Sequence, residues 1–118
     1  REKMTNSLQA AEAECAANAT APRVSLSDIE AAISSTHFTT GADVVMTVAP
    51  NSPEMNLTVL TICLMVMKNG FVVVGKSAPA SRENFNPDLG RKLAREDCIR
   101  QLWPLMGFAL KERTHVGW

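Results

Sequence analysis

Hydrophobic and polar positions change their spacing along the chain, and the first change separates an N-terminal segment from the rest. Residues 5–19 are rich in alanine and glutamate, a composition that favours helix but provides few large apolar side chains. A helix this short is marginal in water unless it docks on other elements. We therefore expect residues 1–23 to form a flexible or loosely docked arm and residues 24–118 to form a single α+β domain.

A short helix is predicted directly after the arm. Ser27 and Glu30 have the spacing of a capping box, in which the serine side chain accepts from the third amide and the glutamate reaches back. The pattern predicts a helix over residues 28–35, with Ile29 and Ile33 on one face.

The middle of the chain predicts strands. Residues 36–40 and 44–48 are short and β-branched, and residues 57–68 and 71–76 are apolar at nearly every position. Asn69–Gly70 between the last two favours a two-residue type I′ turn, which requires positive φ angles. The apolar hairpin predicts a sheet covered on both faces, one by a helix and the other by a second sheet or another subunit.

The C-terminal third predicts a long helix. Asn86 suits the N-cap and Pro87 the first helical position. The helix should run to about Trp103 and end or kink at Pro104, before a last segment over residues 105–113. The expected fold is α+β, with an antiparallel sheet built on a central hairpin and packed against an N-terminal helix and a long C-terminal helix.

Charge and cysteine content exclude several classes of protein. The net charge is zero, but residues 1–56 hold three basic and seven acidic side chains and residues 57–118 hold nine and five. This excess is too small for the dense phosphate contacts of a duplex-binding protein. Three cysteines without paired spacing indicate neither a disulfide framework nor a zinc site, and we expect a reducing cytoplasm. The most apolar run, residues 57–67, is about half the length needed to cross a bilayer, so no membrane span is predicted.

Two arginines on the predicted long helix lack full local neutralisation. Arg91 and Arg95 are four residues apart and of like sign, which is mildly destabilising. Arg95 has no acidic residue three or four positions away, and Arg91 must share Asp88 with Lys92. An external anion would relieve this repulsion. Alternatively, acidic groups elsewhere in the fold, or water, screen both side chains.

Phe85 precedes the predicted cap, where a hydrophobic staple would place an apolar residue. Its partner position is Gly90, which has no side chain. Phe85 either packs elsewhere in the core or presents its ring as a stacking surface beside the helix start. In the second case a nucleotide would suit the site, with its base on the ring and its phosphates on free amides and guanidinium groups.

Short motifs in this same region also carry a family resemblance. In chain order they are Lys68-Asn69-Gly70-Phe71, Glu83-Asn84-Phe85-Asn86, Leu89-Gly90-Arg91-Lys92-Leu93-Ala94-Arg95-Glu96 and Leu102-Trp103-Pro104-Leu105. Together they resemble a family of small phage proteins that includes the first-described Thoeris anti-defence sponge proteins. The similarity covers roughly residues 25–113.

The resemblance implies a non-enzymatic protein of the host bacterial cytoplasm that binds and sequesters cyclic nucleotide signals. The expected ligands are cyclic ADP-ribose isomers made by host TIR-domain enzymes, with cyclic oligonucleotides as further candidates. The protein would be a homo-oligomer, a dimer or multiple of dimers, with pockets where protomers meet and with no cofactor, metal or catalytic residue. The implied ligand-binding residues are Phe85 as stacking ring, Asn84 as loop contact, Arg91 and Arg95 as helix cations, and Arg113 closing the pocket. The sequence departs from the family pattern at Pro79, Arg82 and residues 106–108, near the expected pocket.

Two other functions stay open. A small hydrolase of the same signals could use Glu83 or Glu96 as a general base, although no spacing pairs the histidines and cysteines for catalysis. A protein-binding phage factor that inhibits a host enzyme could instead use the apolar hairpin as its interface.

Overall fold

The structure is a computed structural model that describes residues 7–18 and 22–116. Its regular elements, in chain order, are α1 (Ser7–Asn18), α2 (Leu26–Ala31), β1 (Ile33–Thr40), α3 (Gly41–Val48), β2 (Thr61–Met67), β3 (Val72–Ser77) and α4 (Pro87–Thr114). Short 3₁₀ turns cover Met55–Val59 and Arg82–Asn84.

The three strands form one antiparallel sheet in the order β1-β2-β3. Helix α4 packs across β2 and β3 on one face of the sheet, and α2 packs beside α4. The buried core lies between these elements and comprises Leu8, Leu26, Ile29, Cys63, Met65, Met67, Val73, Ala94, Cys98, Ile99 and Leu102. The predicted α+β fold, with its central hairpin, N-terminal helix and long C-terminal helix, is confirmed.

Close contact between α4 and the sheet depends on a glycine in β3. A Cβ atom at Gly75 would overlap the carbonyl oxygen of Ala94 and lie 2.9 Å from the backbone nitrogen of Cys98. The helix backbone therefore rests almost directly on the strand, which no larger residue at this position would allow.

Helix α2 begins two residues earlier than the sequence pattern predicts and ends at Ala31, so the predicted helical position of Ile33 is wrong and Ile33 begins β1. The Ser25 hydroxyl accepts from the amide of Asp28 at 3.0 Å, and the Asp28 carboxylate accepts from the amide of Ser25 at 2.9 Å. This capping box replaces the predicted one at Ser27. Starting the helix here buries Leu26 and Ile29, three residues apart, on the same side.

Residues 44–48 form a helix and not the predicted strand. The Thr40 side chain caps α3 by accepting from the amide of Asp43 at 3.1 Å. Gly41 fits tightly below it, since a Cβ atom there would lie 3.0 Å from Leu60. The cap and this tertiary packing override the β-propensity of the three valines and the threonine in the segment.

The hairpin between β2 and β3 is confirmed, but its loop has three residues instead of two. The amide of Met67 donates to the carbonyl of Phe71 at 2.8 Å, and the amide of Gly70 donates back to Met67 at 2.9 Å. Only Gly70 has a positive φ, 90°, among the described residues. A type I′ turn needs two such residues, so the loop is a turn followed by a left-handed glycine. Upstream, β2 begins at Thr61 and not at residue 57.

The predicted cap of α4 is confirmed; of the two outcomes predicted at Pro104, an end of the helix is wrong and a kink stays a prediction. The Asn86 side chain accepts from the amide of Leu89 at 3.2 Å, with Pro87 at the first helical position. The helix continues through Pro104 to Thr114. Pro104 has no N–H group to donate within the helix, and it lies on the exposed side of α4.

The second face of the sheet is largely open to solvent. It carries the cross-strand pairs Leu64–Val74 and Val66–Val72. Leu64 is 40%, Val72 56% and Val74 53% exposed. The predicted covering by another sheet is absent from the described part of the chain, and the expected covering by another subunit stays a prediction.

The N-terminal helix contacts the segment that follows it. Arg23 pairs with Glu12 of α1 at 2.6 Å, and the amide of Leu26 donates to the same carboxylate at 3.2 Å. The hydrogen bond from Arg23 lowers the pKa of Glu12. Leu8 joins the buried core. Residues 1–6 and 19–21 of the expected arm lie outside the described residues, and the division at residue 23 stays a prediction.

Candidate functional site

A small cleft opens beside the N-terminus of α4, between that helix, the edge strand β1 and the start of α3. Its volume is about 190 Å³. We call it the Phe85 cleft, and its lining residues are Phe38, Thr39, Thr40, Asp43, Thr61, Phe85, Pro87 and Arg91. Two of the five ligand-binding residues predicted from the sequence, Phe85 and Arg91, therefore lie together.

The register between β1 and β2 determines which side chains of β1 line the cleft. Phe38 pairs with Cys63 and Thr40 with Thr61, so all four side chains lie on the face that α4 covers. Helix α4 packs mainly on β2 and β3. Because β1 is the outer strand, Phe38 keeps 39% of its surface exposed at the cleft.

The Phe85 ring packs over the start of α4. A Cβ atom at Gly90 would lie 3.5 Å from the ring and 2.6 Å from the Thr61 hydroxyl. Gly90 thus takes the staple position without a side chain, and the Phe85 ring fills the space above it. Phe85 is half-buried and lines the cleft. Phe85 therefore lies outside the buried core of the described residues, and its use as a stacking surface stays a prediction.

The N-terminus of α4 offers few amides to a phosphate. Pro87 has no N–H group, the amide of Leu89 donates to the Asn86 side chain and the amide of Gly90 donates to the Asn86 carbonyl. The Asp88 carboxylate lies in the same turn. The prediction that phosphates bind to free amides here is therefore not supported, and an anion would rely on Arg91.

Arg91 forms an ion pair with Asp88 one turn earlier, and its side chain is 45% exposed. The Asp88 side chain is 90% exposed. An ion pair this exposed is worth no more than about 1 kcal/mol, so a bound anion can compete with Asp88 for the guanidinium group.

Arg95 is neutralised by another element. Its guanidinium lies 3.6 Å from the carboxylate of Glu30 in α2. For Arg95 the structure therefore confirms the alternative raised by the sequence, that an acidic group elsewhere in the fold screens the guanidinium. The pair is partly exposed, and Arg95 does not line the Phe85 cleft.

Asn84 and Arg113 also lie outside the cleft. Asn84 is exposed in the 3₁₀ turn that precedes Phe85, and its amide donates to the carbonyl of Ser81 at 3.1 Å. Arg113 lies about 33 Å further along α4 than Arg91, at a rise of about 1.5 Å per residue. Within one chain, Arg113 cannot reach a ligand held by Phe85.

The sequence pattern did not predict Phe38, Thr40, Asp43 and Thr61 as residues of this cleft. Thr40 and Asp43 have the three-residue spacing of a helix cap, a signal that could have identified the start of α3. No donor of the described residues lies within hydrogen-bond distance of the Asp43 carboxylate. The cleft therefore combines two aromatic rings, three hydroxyl groups, a carboxylate acceptor and a cation.

The side chains considered for catalysis lie away from the Phe85 cleft. Glu83 is exposed, and a hydrogen bond from the Ser81 hydroxyl lowers its pKa. Glu96 is buried, and burial raises its pKa. Cys63 and Cys98 are buried thiols, and burial together with the neighbouring Cys63 raises the pKa of Cys98 to about 12.

The described residues offer neither a metal site nor a membrane-spanning helix. No group of three or more histidine, cysteine, aspartate or glutamate side chains there could hold a metal ion. None of the helices described is long and apolar enough to cross a bilayer.

The fold and cleft define a small α+β protein in which one long helix covers a three-stranded antiparallel sheet. The chain belongs to the phage protein family of N4 Gp49 and phage Sf6 gene 66, whose family model matches residues 24–114. Neither the curated proteins nor the solved structures include a significant match.

Proposed function

We propose that this phage protein binds and sequesters cyclic nucleotide immune signals made by the bacterial host, without cleaving them. The expected ligands are cyclic ADP-ribose isomers or cyclic oligonucleotides, and the expected compartment is the host cytoplasm. Membership of the phage family supports a role during infection. The resemblance to Thoeris anti-defence sponge proteins supports the ligand class.

The observation that carries the proposal is the convergence of Phe85, Phe38 and Arg91 on one cleft. Aromatic side chains bind any nucleobase by stacking, at about 1–3 kcal/mol per base. A guanidinium group binds a phosphate through two parallel hydrogen bonds. Asp43 and Thr40 could accept hydrogen bonds from amino groups on the base edge or from ribose hydroxyls.

The size of the cleft supports a site shared between two copies. At 190 Å³ it is smaller than the roughly 300–1,000 Å³ of typical small-molecule sites. Asn84, Arg95 and Arg113 do not line it. We infer that a second copy of the chain completes the pocket, and that a contribution of Asn84 or Arg95 would come from that copy.

Calorimetric titration of the purified protein against a panel of cyclic ADP-ribose isomers and cyclic dinucleotides tests this proposal. Phe85→Ala should abolish binding of the ligand found in that panel. It should lower the free energy of unfolding by only about 1–2 kcal/mol, because a fully buried phenylalanine costs about 3–5 kcal/mol and Phe85 is half-buried. Phe108→Ala is the matched control, since Phe108 is 68% exposed and lies outside the cleft.

The bound ligand should then be released by heat and identified by mass spectrometry. Recovery of the intact cyclic molecule supports sequestration, whereas a linear product would identify a hydrolase. The proposal would be contradicted if no panel member bound tightly, or if both phenylalanine variants lost binding equally.

A second candidate function is inhibition of a host enzyme by direct protein binding. The open apolar face of the sheet favours it, because exposed apolar patches often mark protein interfaces. Native mass spectrometry separates the two functions. A homo-oligomer that retains a nucleotide supports sequestration, and a single chain bound to one host enzyme supports inhibition.

A further inference from the structure

The second half of α4 extends beyond the sheet that its first half covers. With 28 residues the helix is about 42 Å long, whereas the seven residues of β2 span only about 23 Å. The overhang leaves Leu105 48% exposed, next to the hairpin loop, where Phe71 is 51% exposed. A groove therefore opens between the loop and the end of the helix.

This groove has the size and apolar lining of a small-molecule site. Its volume is about 420 Å³, within the roughly 300–1,000 Å³ of such sites. Its apolar walls include Met67 and Phe71 from the hairpin and Leu105, Met106 and Ala109 from α4. Methionine side chains are flexible and polarisable, so two of them allow the walls to adapt to an inserted chain.

The charged groups that line the groove are both cations. Lys68 and Arg113 line it, no carboxylate does, and neither cation pairs with an acidic group among the described residues. Hydrogen bonds from the backbone and side chain of Ser25 lower the pKa of Asp28, and the charge of Arg113 adds a smaller contribution in the same direction. The carboxylate of Asp28 already accepts from the amide of Ser25 at 2.9 Å.

We propose that this groove, which we call the Arg113 groove, binds a small amphipathic anion with an unbranched apolar chain and one carboxylate. The chain lies against Met67, Met106 and Ala109, and the carboxylate binds Arg113 and Lys68. A guanidinium group suits a carboxylate because their two pairs of hydrogen-bonding atoms match.

The same lining disfavours a nucleotide in the Arg113 groove. A base needs several polar partners along its edge, and the only uncharged polar side chain lining the groove is that of Asn69. The Asn69 side-chain oxygen already accepts from the amide of Phe71 at 2.9 Å. The site is therefore distinct from the Phe85 cleft in both position and ligand chemistry.

Titration of the full chain with decanoate, followed by calorimetry, tests the proposal. Decanoate should bind with a dissociation constant in the micromolar range, and decanol, which has no charge, should bind at least about tenfold more weakly. Arg113→Met and Lys68→Met should each weaken decanoate binding severalfold, since they remove a cation but keep an unbranched side chain. Lys92→Met is the matched control, because Lys92 is an exposed cation of α4 outside the groove.

Ala109→Phe would fill the groove and should abolish decanoate binding, with the melting temperature checking that the variant folds. Phe85→Ala should leave decanoate binding unchanged, which keeps this test independent of the proposed nucleotide site. The proposal is overturned if decanoate does not bind below millimolar concentration. This holds also if binding fails because another copy of the chain covers the groove. Equal binding of decanol, or an equal loss in Lys92→Met, overturns it as well.

Discussion

Gly75 and Gly107 show how differently two glycines of this protein respond to an added methyl group. A Cβ atom at Gly75 would overlap the backbone of α4, whereas at Gly107 nothing lies within 4 Å. Gly75→Ala should therefore destabilise the fold by about 1–3 kcal/mol through overpacking. Gly107→Ala should stabilise it by up to about 1 kcal/mol, because alanine is the better helix former. Urea denaturation measures both changes, and equal effects would contradict the close contact between β3 and α4.

Glu96 gives the stability of the protein a dependence on pH. Burial raises its pKa above the ordinary 4.5, with Arg100 and Lys92 acting in the opposite direction. An acid whose pKa is raised by folding binds its proton more tightly in the folded state. Its protonation therefore stabilises the fold, and that stabilisation is lost as the pH rises through the folded-state pKa.

Glu96→Gln removes this titration. The free energy of unfolding of the unmodified protein, relative to the variant, should rise as the pH falls from about 7 towards about 4, and then level off. Urea denaturation at a series of pH values measures the difference. Parallel curves for the two proteins over this range would show that burial does not perturb Glu96.

At the scale of single elements, local signals predicted those boundaries for which the sequence offered one strong candidate. Asn86 followed by Pro87 marked the start of α4, and the apolar runs around Gly70 marked the hairpin. The start of α2 was ambiguous, because Ser25 with Asp28 and Ser27 with Glu30 both have capping-box spacing. The structure uses the first pair, because that choice buries Leu26 together with Ile29.

Local sequence patterns did not predict the contacts between elements. The Arg95–Glu30 pair joins α4 to α2 across 65 positions of sequence, and the Phe85 cleft collects residues between Phe38 and Arg91. Only Phe85 and Arg91 of that cleft were predicted, because they lie close to a recognisable helix start. Phe38 reaches the cleft because of the register of β1, and Asp43 because it lies in α3. The β-branched sequence of α3 predicted a strand and not a helix.

Substitutions at the two candidate capping serines, Ser25 and Ser27, test where α2 begins. Ser25→Ala removes the side chain that accepts from the Asp28 amide, and should destabilise the protein by about 1 kcal/mol, as N-cap losses typically do. Ser27→Ala should change the free energy of unfolding by less than about 0.5 kcal/mol, since Ser27 is an exposed helical residue. Thermal and urea denaturation measure both variants. A larger cost for Ser27→Ala would restore the predicted helix start.

At the scale of the whole molecule, we propose that the exposed apolar surface makes the chain self-associate. Large hydrophobic side chains are exposed on the open sheet face, on α3 and on the end of α4, including Val74, Val48 and Phe108. Scattered exposed residues need no explanation, but Leu64, Val72 and Val74 are neighbours on two adjacent strands. The open face is therefore the surface that we propose for self-association.

Replacing Leu64 and Val74 together by lysine tests the self-association and the shared pocket in one experiment. Two lysines on a cross-strand pair place four positive charges in a symmetric interface, so sedimentation should show the oligomer dissociating to single chains. Val116→Lys, at a residue that is 90% exposed, is the control and should leave the oligomer intact. If a second copy completes the nucleotide site, the dissociated variant should also lose ligand binding although its own Phe85 cleft is unchanged. Full binding by single chains would place the whole site within one chain, and an intact oligomer would assign the interface to another surface.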